Sequence, residues 1–386
     1  MLPFKFFIDT PIYFGRGCVI ANSEVFKSAG RRAYVLTTKF PEGFENIALN
    51  DVIAALEREN IAYEVNDNVE ENPSVENEHE LAVAAGRFGA DFIVGVGGGS
   101  SIDAAKGLGV LINRCDEDPY EVFYGHGKRF GSFINMSELP IIVVPTTAGP
   151  GSDMTPNLIL TLSRSDTKQC VDQTVYAYAT MLDSRYIADA PDAIFYSGIL
   201  DALAHGIESY LNVTSRFGNQ LAAEAGFGIF SRVLPRLRLM DRAALTEDDL
   251  DMLLLNSSVM GAAVGQNGSS LPHGMGYDLS HYKGQYHGYA SCIFLPEYLR
   301  LFKEPHRVEE LLGKCGFTGV DDLEGFITAF TSRFMDFEVS EQEIESWANN
   351  LFYNTNRVAR HPEPLGIEDI YRVYRSSLAP YMRPTR

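Results

Sequence analysis

The chain has 386 residues, of which 45% are hydrophobic and 22% charged, and its formal net charge is −19. That length exceeds one ordinary core and suits two domains, and the composition is globular rather than disordered or fibrous. So acidic a surface repels phosphate backbones and anionic headgroups, which argues against nucleic-acid and membrane-surface partners.

The opening 14 residues mix charge and proline into an apolar stretch and lack the pattern of a secretory signal. Beyond them, short apolar runs at 33–37, 62–65, 92–96 and 141–144 alternate with helix-like stretches at 49–59, 73–88 and 101–112. Strand–helix alternation predicts a parallel sheet covered on both faces, and the nearly unbroken apolarity of the runs fits burial on both sides. The pattern changes near Pro191, in the acidic stretch 189–192. From there, segments at 194–211, 221–239, 248–265, 308–316, 323–334, 341–352 and 368–378 carry helical spacing. The expected organisation is an α/β domain over 1–191 followed by an all-helical domain over 192–386. The five cysteines (Cys18, Cys115, Cys170, Cys292 and Cys315) are scattered and form no CxxC pair, which predicts free, mostly buried thiols in a reducing compartment. The most apolar stretch, 92–112, is broken by glycines, Asp103 and Lys106 and does not read as a membrane span. A cytoplasmic protein is expected.

Within 92–112, an apolar strand runs into Gly97, Gly98, Gly99 and Ser100, and a helix follows. Glycines let backbone N–H groups approach a ligand, and a helix start adds unpaired donors and partial positive charge, a combination suited to a pyrophosphate. The glycines do not follow the GxGxxG spacing, so an ordinary Rossmann fingerprint is absent. A second loop, PTTAGPGSDMT at 145–155, follows the strand 141–144 and offers Thr146, Thr147 and Ser152 to ribose or phosphate. A tight turn without a ligand is the plainer reading of either loop alone; two such loops after neighbouring strands favour a cofactor.

Asp201 and His205 lie four residues apart in DALAHGIESY and share one helix face. His273, His281 and His287 lie in the chain's most glycine- and histidine-rich stretch, read as loop-rich. Three imidazoles and a carboxylate suit Fe(II) or Zn(II), are too nitrogen-rich for Mg or Ca, and lack the thiolates of a structural zinc site. On composition alone His281 is as good a ligand as its neighbours, and each residue has a plainer role, a hydrogen-bonded core histidine or, for Asp201, a helix cap. His79, His126, His306 and His361 sit among charged or turn residues and are expected to be solvated.

Taken in order, these motifs resemble the iron-containing (group III) alcohol dehydrogenase family over nearly the whole chain. The resemblance rests on Tyr13-Phe14-Gly15-x-Gly17, GGGSSID at 97–103, PTTAGPGSDMT at 145–155, DALAHGIESY at 201–210 and the His-Gly pairs at 273–274 and 287–288. It implies a nucleotide-binding α/β domain and a helical domain, the dehydroquinate synthase-like architecture, with the metal in the cleft between them. It implies metal ligation by Asp201, His205, His273 and His287, leaving His281 out. It implies cofactor contacts at Gly97, Gly98, Gly99, Ser100, Asp103, Thr146 and Thr147, with Lys168 and Asp183 as further candidates. The expected cofactors are Fe(II), with Zn(II) as the alternative, and NAD or NADP. The expected substrate is a small alcohol–aldehyde pair, and the expected assembly a homodimer or larger homo-oligomer.

Three positions depart from the family pattern. Pro150 stands where many members have glycine and stiffens the second loop. Tyr277 replaces a histidine found four residues after the third ligand, so proton relay would fall to Tyr277 or His281. Thr38, followed by Lys39, occupies the place where NAD-preferring members often carry an Asp for the ribose; without that carboxylate a 2′-phosphate is not repelled, and NAD and NADP both stay open. Three rival readings are a cyclase or lyase of the same superfamily, a metal-dependent hydrolase and a silent nucleotide-binding protein. The first needs a denser Lys/Arg set than 192–300 holds, the second has no use for the glycine loops, and the complete ligand set argues against the third.

Overall fold

The computed structural model describes residues 4–40, 45–125, 134–165, 167–354 and 357–383. Two units emerge, Phe7–Ala190 and a second comprising Pro191–Arg386 with Met1–Phe6.

The first unit carries strands β1 (Ile12–Phe14), β2 (Arg32–Leu36), β3 (Ala62–Asn66), β4 (Phe92–Gly97), β5 (Ile141–Pro145), β6 (Ile159–Leu162), β7 (Thr167–Cys170) and β8 (Ala179–Leu182). Six pair in one sheet in the order β1-β8-β5-β4-β2-β3, every pairing parallel, while β6 and β7 form an antiparallel hairpin. The unbroken apolar runs have a simple cause. Alternate residues of each central strand feed opposite cores. Ala33, Val35, Phe92, Val94, Val96, Ile142 and Val144 pack on one face, and Tyr34, Leu36, Ile93, Ile141 and Val143 on the other. Flanking helices close both faces. Ile47–Arg58 is capped by Asn46, whose side chain accepts from Leu49 N, and Val75–Phe88 by Ser74, which accepts from Asn77 N. Because β2 lies between β3 and β4, the chain reverses direction across the sheet there, and the carboxyl ends of β2 and β4 form the switch point where such sheets bind ligands.

Four of the six sheet strands coincide with the predicted runs; β1 and β8, three and four residues long, carry no pattern that distinguishes them from loop.

The second unit is helical, with no strand among its described residues. Its centre is Asp192–Leu211, buried on nearly every side by Phe217–Leu237, Glu247–Asn267 and His287–Cys292. One expectation fails here. The stretch read as loop-rich forms the helix Leu271–Lys283, in spite of Pro272, Gly274 and Gly276. Proline is tolerated in the first turn, and tertiary packing overrides the glycine penalty: a Cβ at Gly276 would lie 2.7 Å from Ser291 Oγ and 2.9 Å from Ser291 Cα. His361 is another correction. It is buried, not solvated, with Nδ1 3.1 Å from the Glu363 carbonyl and its ring against Phe302 and Tyr298. His306 is exposed, His79 half-buried, and His126 lies outside the described residues. All five cysteines are free, and among the described residues no helix is long and apolar enough to cross a membrane.

Candidate active site

The glycine turn sits at the end of β4, where Gly97 takes φ +148° and Gly98 precedes the helix Gly99–Leu111 without a side-chain cap. The first amides of that helix therefore keep their donors. The second loop folds onto this turn. Thr146 N donates to Gly97 O at 2.9 Å, and a Cβ on Gly98 would meet the Thr147 side chain at 3.3 Å. Pro150 closes on Gly99, where an added Cβ would lie 3.2 Å from Pro150 Cγ. Ser100 Oγ accepts from Asn72 N at 3.0 Å.

Lys106 and Asp103 work from behind. Lys106, fully buried, donates through Nζ to the carbonyls of Ser152, Thr155 and Asn157, the latter two at 2.8 Å. Asp103 Oδ2 accepts from Ile159 N at 3.0 Å, and burial pushes its carboxyl up to about 6 against the pull of Lys106. Both side chains brace the second loop against the helix, and neither lies on the turn's outer surface.

Asp183, expected as a cofactor contact, is a correction. It is completely buried, and its oxygens accept from Gly17 N (2.6 Å), Arg185 N (3.0 Å) and the Arg185 guanidinium, leaving no surface for a ligand. Its role is to tie the Gly15–Gly17 entry to the end of β8. Lys168 lies half-buried on the β6–β7 hairpin, with its ammonium pKa lowered by burial. Thr38 lies just past the carboxyl end of β2, half-buried, and Lys39 next to it is exposed.

In the helical unit, three candidate ligands converge. One atom each from Asp201, His205 and His273 lies within 4.8 Å of the other two, and all three residues are buried. Asp201 Oδ1 and His273 Nε2 stand 3.3 Å apart, and neither makes a hydrogen bond. The His205 and His273 rings stack at 4.3 Å. His287, less buried, places Nε2 3.8 Å from Asp201 Oδ1, with its ring 5.3 Å from His273. Donors about 2.1 Å from one ion lie roughly 3–4 Å from each other, and the separations of Asp201 Oδ1 from His273 Nε2 and His287 Nε2 fall in that range. A buried carboxylate oxygen and a buried ring nitrogen facing each other need positive charge between them, from a proton or from a cation. The set therefore fits a divalent ion.

The electrostatics agree. Burial opposes ionisation of Asp201, but the imidazoles of His205, His287 and His273 outweigh it and hold the carboxyl below its usual range. For His273, burial alone would lower the pKa; the Glu208 and Asp201 carboxylates reverse that and raise it to about 9.

Glu208 went unnoticed in the sequence. It is fully buried, and its Oε1 lies 2.5 Å from His273 Nδ1. The available signal was its position, three residues after His205 and seven after Asp201, on the same helix face. Tyr277 stacks on His287 at 5.5 Å and takes the Arg357 guanidinium over its ring at 4.8 Å. His281, one turn further along that helix, is half-buried with its ring edge-on to Tyr282.

A doubly wound unit with a glycine turn at its switch point and a helical unit with a buried Asp–His–His cluster define a class: two-unit α/β-plus-helical proteins with a candidate metal centre. Family models narrow this further. The model for iron-containing alcohol dehydrogenase matches residues 9–184, and that for the Fe-containing alcohol dehydrogenase family, C-terminal, matches 195–378. The chain belongs to the iron-containing alcohol dehydrogenase family, which decides against the hydrolase, cyclase and silent readings.

Among its relatives, the lactaldehyde reductase of Escherichia coli (strain K12) is 26% identical over 77% of this chain and 75% of that protein. Long-chain-alcohol dehydrogenase 1 of Geobacillus thermodenitrificans is 26% identical over 86% of each. The crystal structure of an iron-containing alcohol dehydrogenase from Thermotoga maritima is 28% identical, covers 98% of this chain and 100% of its own, and superposes with a TM-score of 0.85.

Proposed function

We propose that the chain interconverts a small alcohol and its aldehyde, using NAD or NADP and a divalent ion, iron or zinc, held by Asp201, His205, His273 and His287. The observation that carries this reading is the buried convergence of Asp201, His205 and His273, with Asp201 Oδ1 and His273 Nε2 facing each other at 3.3 Å. The names of the relatives, a lactaldehyde reductase and a long-chain-alcohol dehydrogenase, support the alcohol–aldehyde pair.

When bound, the ion supplies Lewis acidity toward a substrate oxygen and the nicotinamide supplies the hydride acceptor or donor. The rest falls to side chains of the chain. Asp201 brings a full negative charge, so four ligands leave a dication only partly neutralised and still attractive to an oxygen. The alcohol's hydroxyl proton must leave as hydride departs from its carbon; Tyr277, stacked on His287, and His281, one turn along the same helix, are the candidates to pass it to solvent. On the nucleotide side, the N–H groups of Gly99 and Ser100 would hold a pyrophosphate, with Thr146 and Thr147 next to the turn. Thr38 and Lys39, at the end of β2, present no carboxylate to the ribose, so a 2′-phosphate meets no repulsion.

The decisive measurement uses chelator-treated protein with NADH and NADPH against a panel of small aldehydes, before and after adding Fe(II) or Zn(II). Oxidation of the nicotinamide is expected only after an ion is restored. No absorbance change under any combination would overturn the reading.

The glycine turn gives a second expected outcome. At Gly97, a Cβ would lie 2.4 Å from Ser101 Oγ at a backbone angle that side chains rarely adopt. Strain and overpacking together predict that Gly97→Ala costs about 2–4 kcal/mol of stability. NADH affinity, read by fluorescence titration below the melting temperature, is expected to fall at least tenfold. Wild-type melting together with wild-type affinity would contradict this account of the turn.

A further inference from the structure

We propose that Glu208 is a positioning residue for the metal centre: its carboxylate fixes His273 in the tautomer with the proton on Nδ1 and turns the bare Nε2 toward Asp201. The inference rests on the metal reading of the site given above.

The contacts divide cleanly between the two oxygens of Glu208. Oε2 accepts from Ser270 N at 2.6 Å and from His273 N at 3.4 Å, which caps the start of Leu271–Lys283. Oε1 lies 2.5 Å from His273 Nδ1, while the opposite ring nitrogen, Nε2, lies 3.3 Å from Asp201 Oδ1. A carboxylate only accepts hydrogen bonds, so the ring nitrogen that faces it carries the hydrogen. In the neutral ring Nε2 then has the lone pair a ligand needs, and a cation entering the site takes the place of the proton that the surrounding carboxylates favour there. An orienting acceptor of this kind typically changes metal affinity 10- to 100-fold, roughly.

A purely structural role would need some donor at each buried oxygen, but not that the donor at Oε1 be the ring whose far nitrogen faces Asp201. Glu208 also stands on the helix that carries Asp201 and His205, so one rigid element presents two ligands and orients a third.

Glu208→Gln separates the two roles. With the amide oxygen in place of Oε2, the cap is kept, but the NH2 group faces Nδ1 and forces it to accept, which puts the hydrogen on Nε2. With the amide reversed, NH2 confronts the Ser270 N–H. No orientation preserves both contacts.

The test titrates Co(II) into chelator-treated, full-length wild type and Glu208→Gln, reading affinity and the visible ligand-field spectrum, with NADH binding as a check on the fold. The variant is expected to bind Co(II) about 10- to 100-fold more weakly, with a changed spectrum and unchanged NADH binding. A folded variant with wild-type Co(II) affinity and spectrum would make Glu208 a helix cap only, overturning this inference and leaving the metal centre intact. If wild type itself binds neither Co(II) nor Zn(II), the metal reading falls and this one with it.

Should the variant not fold, the wild type still decides. In ¹⁵N-histidine-labelled, Zn(II)-loaded protein, His273 is expected to show a protonated Nδ1 and a metal-coordinated Nε2. The opposite assignment would overturn the proposal.

Discussion

His273→Ala is expected to release the metal and abolish turnover while nucleotide binding survives. The imidazole it removes makes four contacts at once: Nε2 beside Asp201 Oδ1, a ring stack on His205, an edge-on approach to the His287 ring, and Nδ1 on Glu208. A four-ligand site binds a zinc-like ion with about 10–16 kcal/mol, so one lost ligand costs roughly 3 kcal/mol, or about 100- to 1000-fold in affinity. The deletion also strands the buried Glu208 carboxylate, which costs the metal-free fold roughly 3 kcal/mol. Adding Glu208→Gln to the same chain removes that charge and should recover part of the loss, which separates metal ligation from stability. The glycine turn lies in the other unit, so NADH affinity should stay within about twofold. The measurements are metal content after dialysis, turnover with an aldehyde, and NADH fluorescence. Metal at wild-type stoichiometry, or undiminished turnover, would sink the ligand assignment.

How much of this was legible in the sequence depends on where each signal comes from. The central strands were readable because burial on both faces leaves unbroken apolar runs, and Phe92–Gly97 is buried along its entire length. β1 and β8 were not, since three or four residues such as Ala179–Leu182 hold no period to detect. Leu271–Lys283 was misread because its own composition opposes a helix; the close packing on His287–Cys292 that its glycines permit is beyond the reach of local pattern.

Among the site residues, Asp201 and His205 share a helix face by spacing alone, whereas His273 and His287 were preferred to His281 only through family resemblance. Charged residues near the glycine loops were the least legible. Lys106 and Asp183 look available in the sequence, yet the fold commits them to backbone groups and to Arg185, and it commits one oxygen of Asp103 to Ile159 N. A buried charge that neutralises its own desolvation by local contacts looks, in sequence, the same as one aimed at a ligand. Glu208 shows the converse: a carboxylate within an apolar helix, whose partner 65 residues away only the fold reveals.

Gly288→Ala is expected to be the most damaging single-methyl addition near the candidate metal centre. A Cβ at Gly288 would lie 1.8 Å from the Ser197 carbonyl oxygen and 2.7 Å from its carbon, both rigid backbone in the helix that carries Asp201. Reaching ordinary contact requires His287–Cys292 to retreat by about 1.5 Å. Three bonds along that seam would stretch: Gly288 N to Ser197 Oγ (3.1 Å), Tyr289 OH to Ala193 O (2.9 Å) and Cys292 Sγ to Leu200 O (3.0 Å). His287, adjacent in the chain, would be carried away from Asp201, now 3.8 Å distant. Overpacking against backbone predicts a loss of about 3 kcal/mol in stability, with metal affinity falling more than tenfold. The other His-Gly pair supplies the control. At Gly274 a Cβ would meet only side-chain atoms, Arg357 Cδ at 2.6 Å, Leu351 Cδ1 at 2.8 Å and Arg357 Nε at 3.5 Å, which can rotate aside at a cost of about 1 kcal/mol. Urea denaturation and metal retention of the two variants, measured side by side, decide the matter. If Gly274→Ala proves the more harmful, or Gly288→Ala keeps wild-type stability, then contact between His287–Cys292 and the Asp201 helix is not what holds His287 in place.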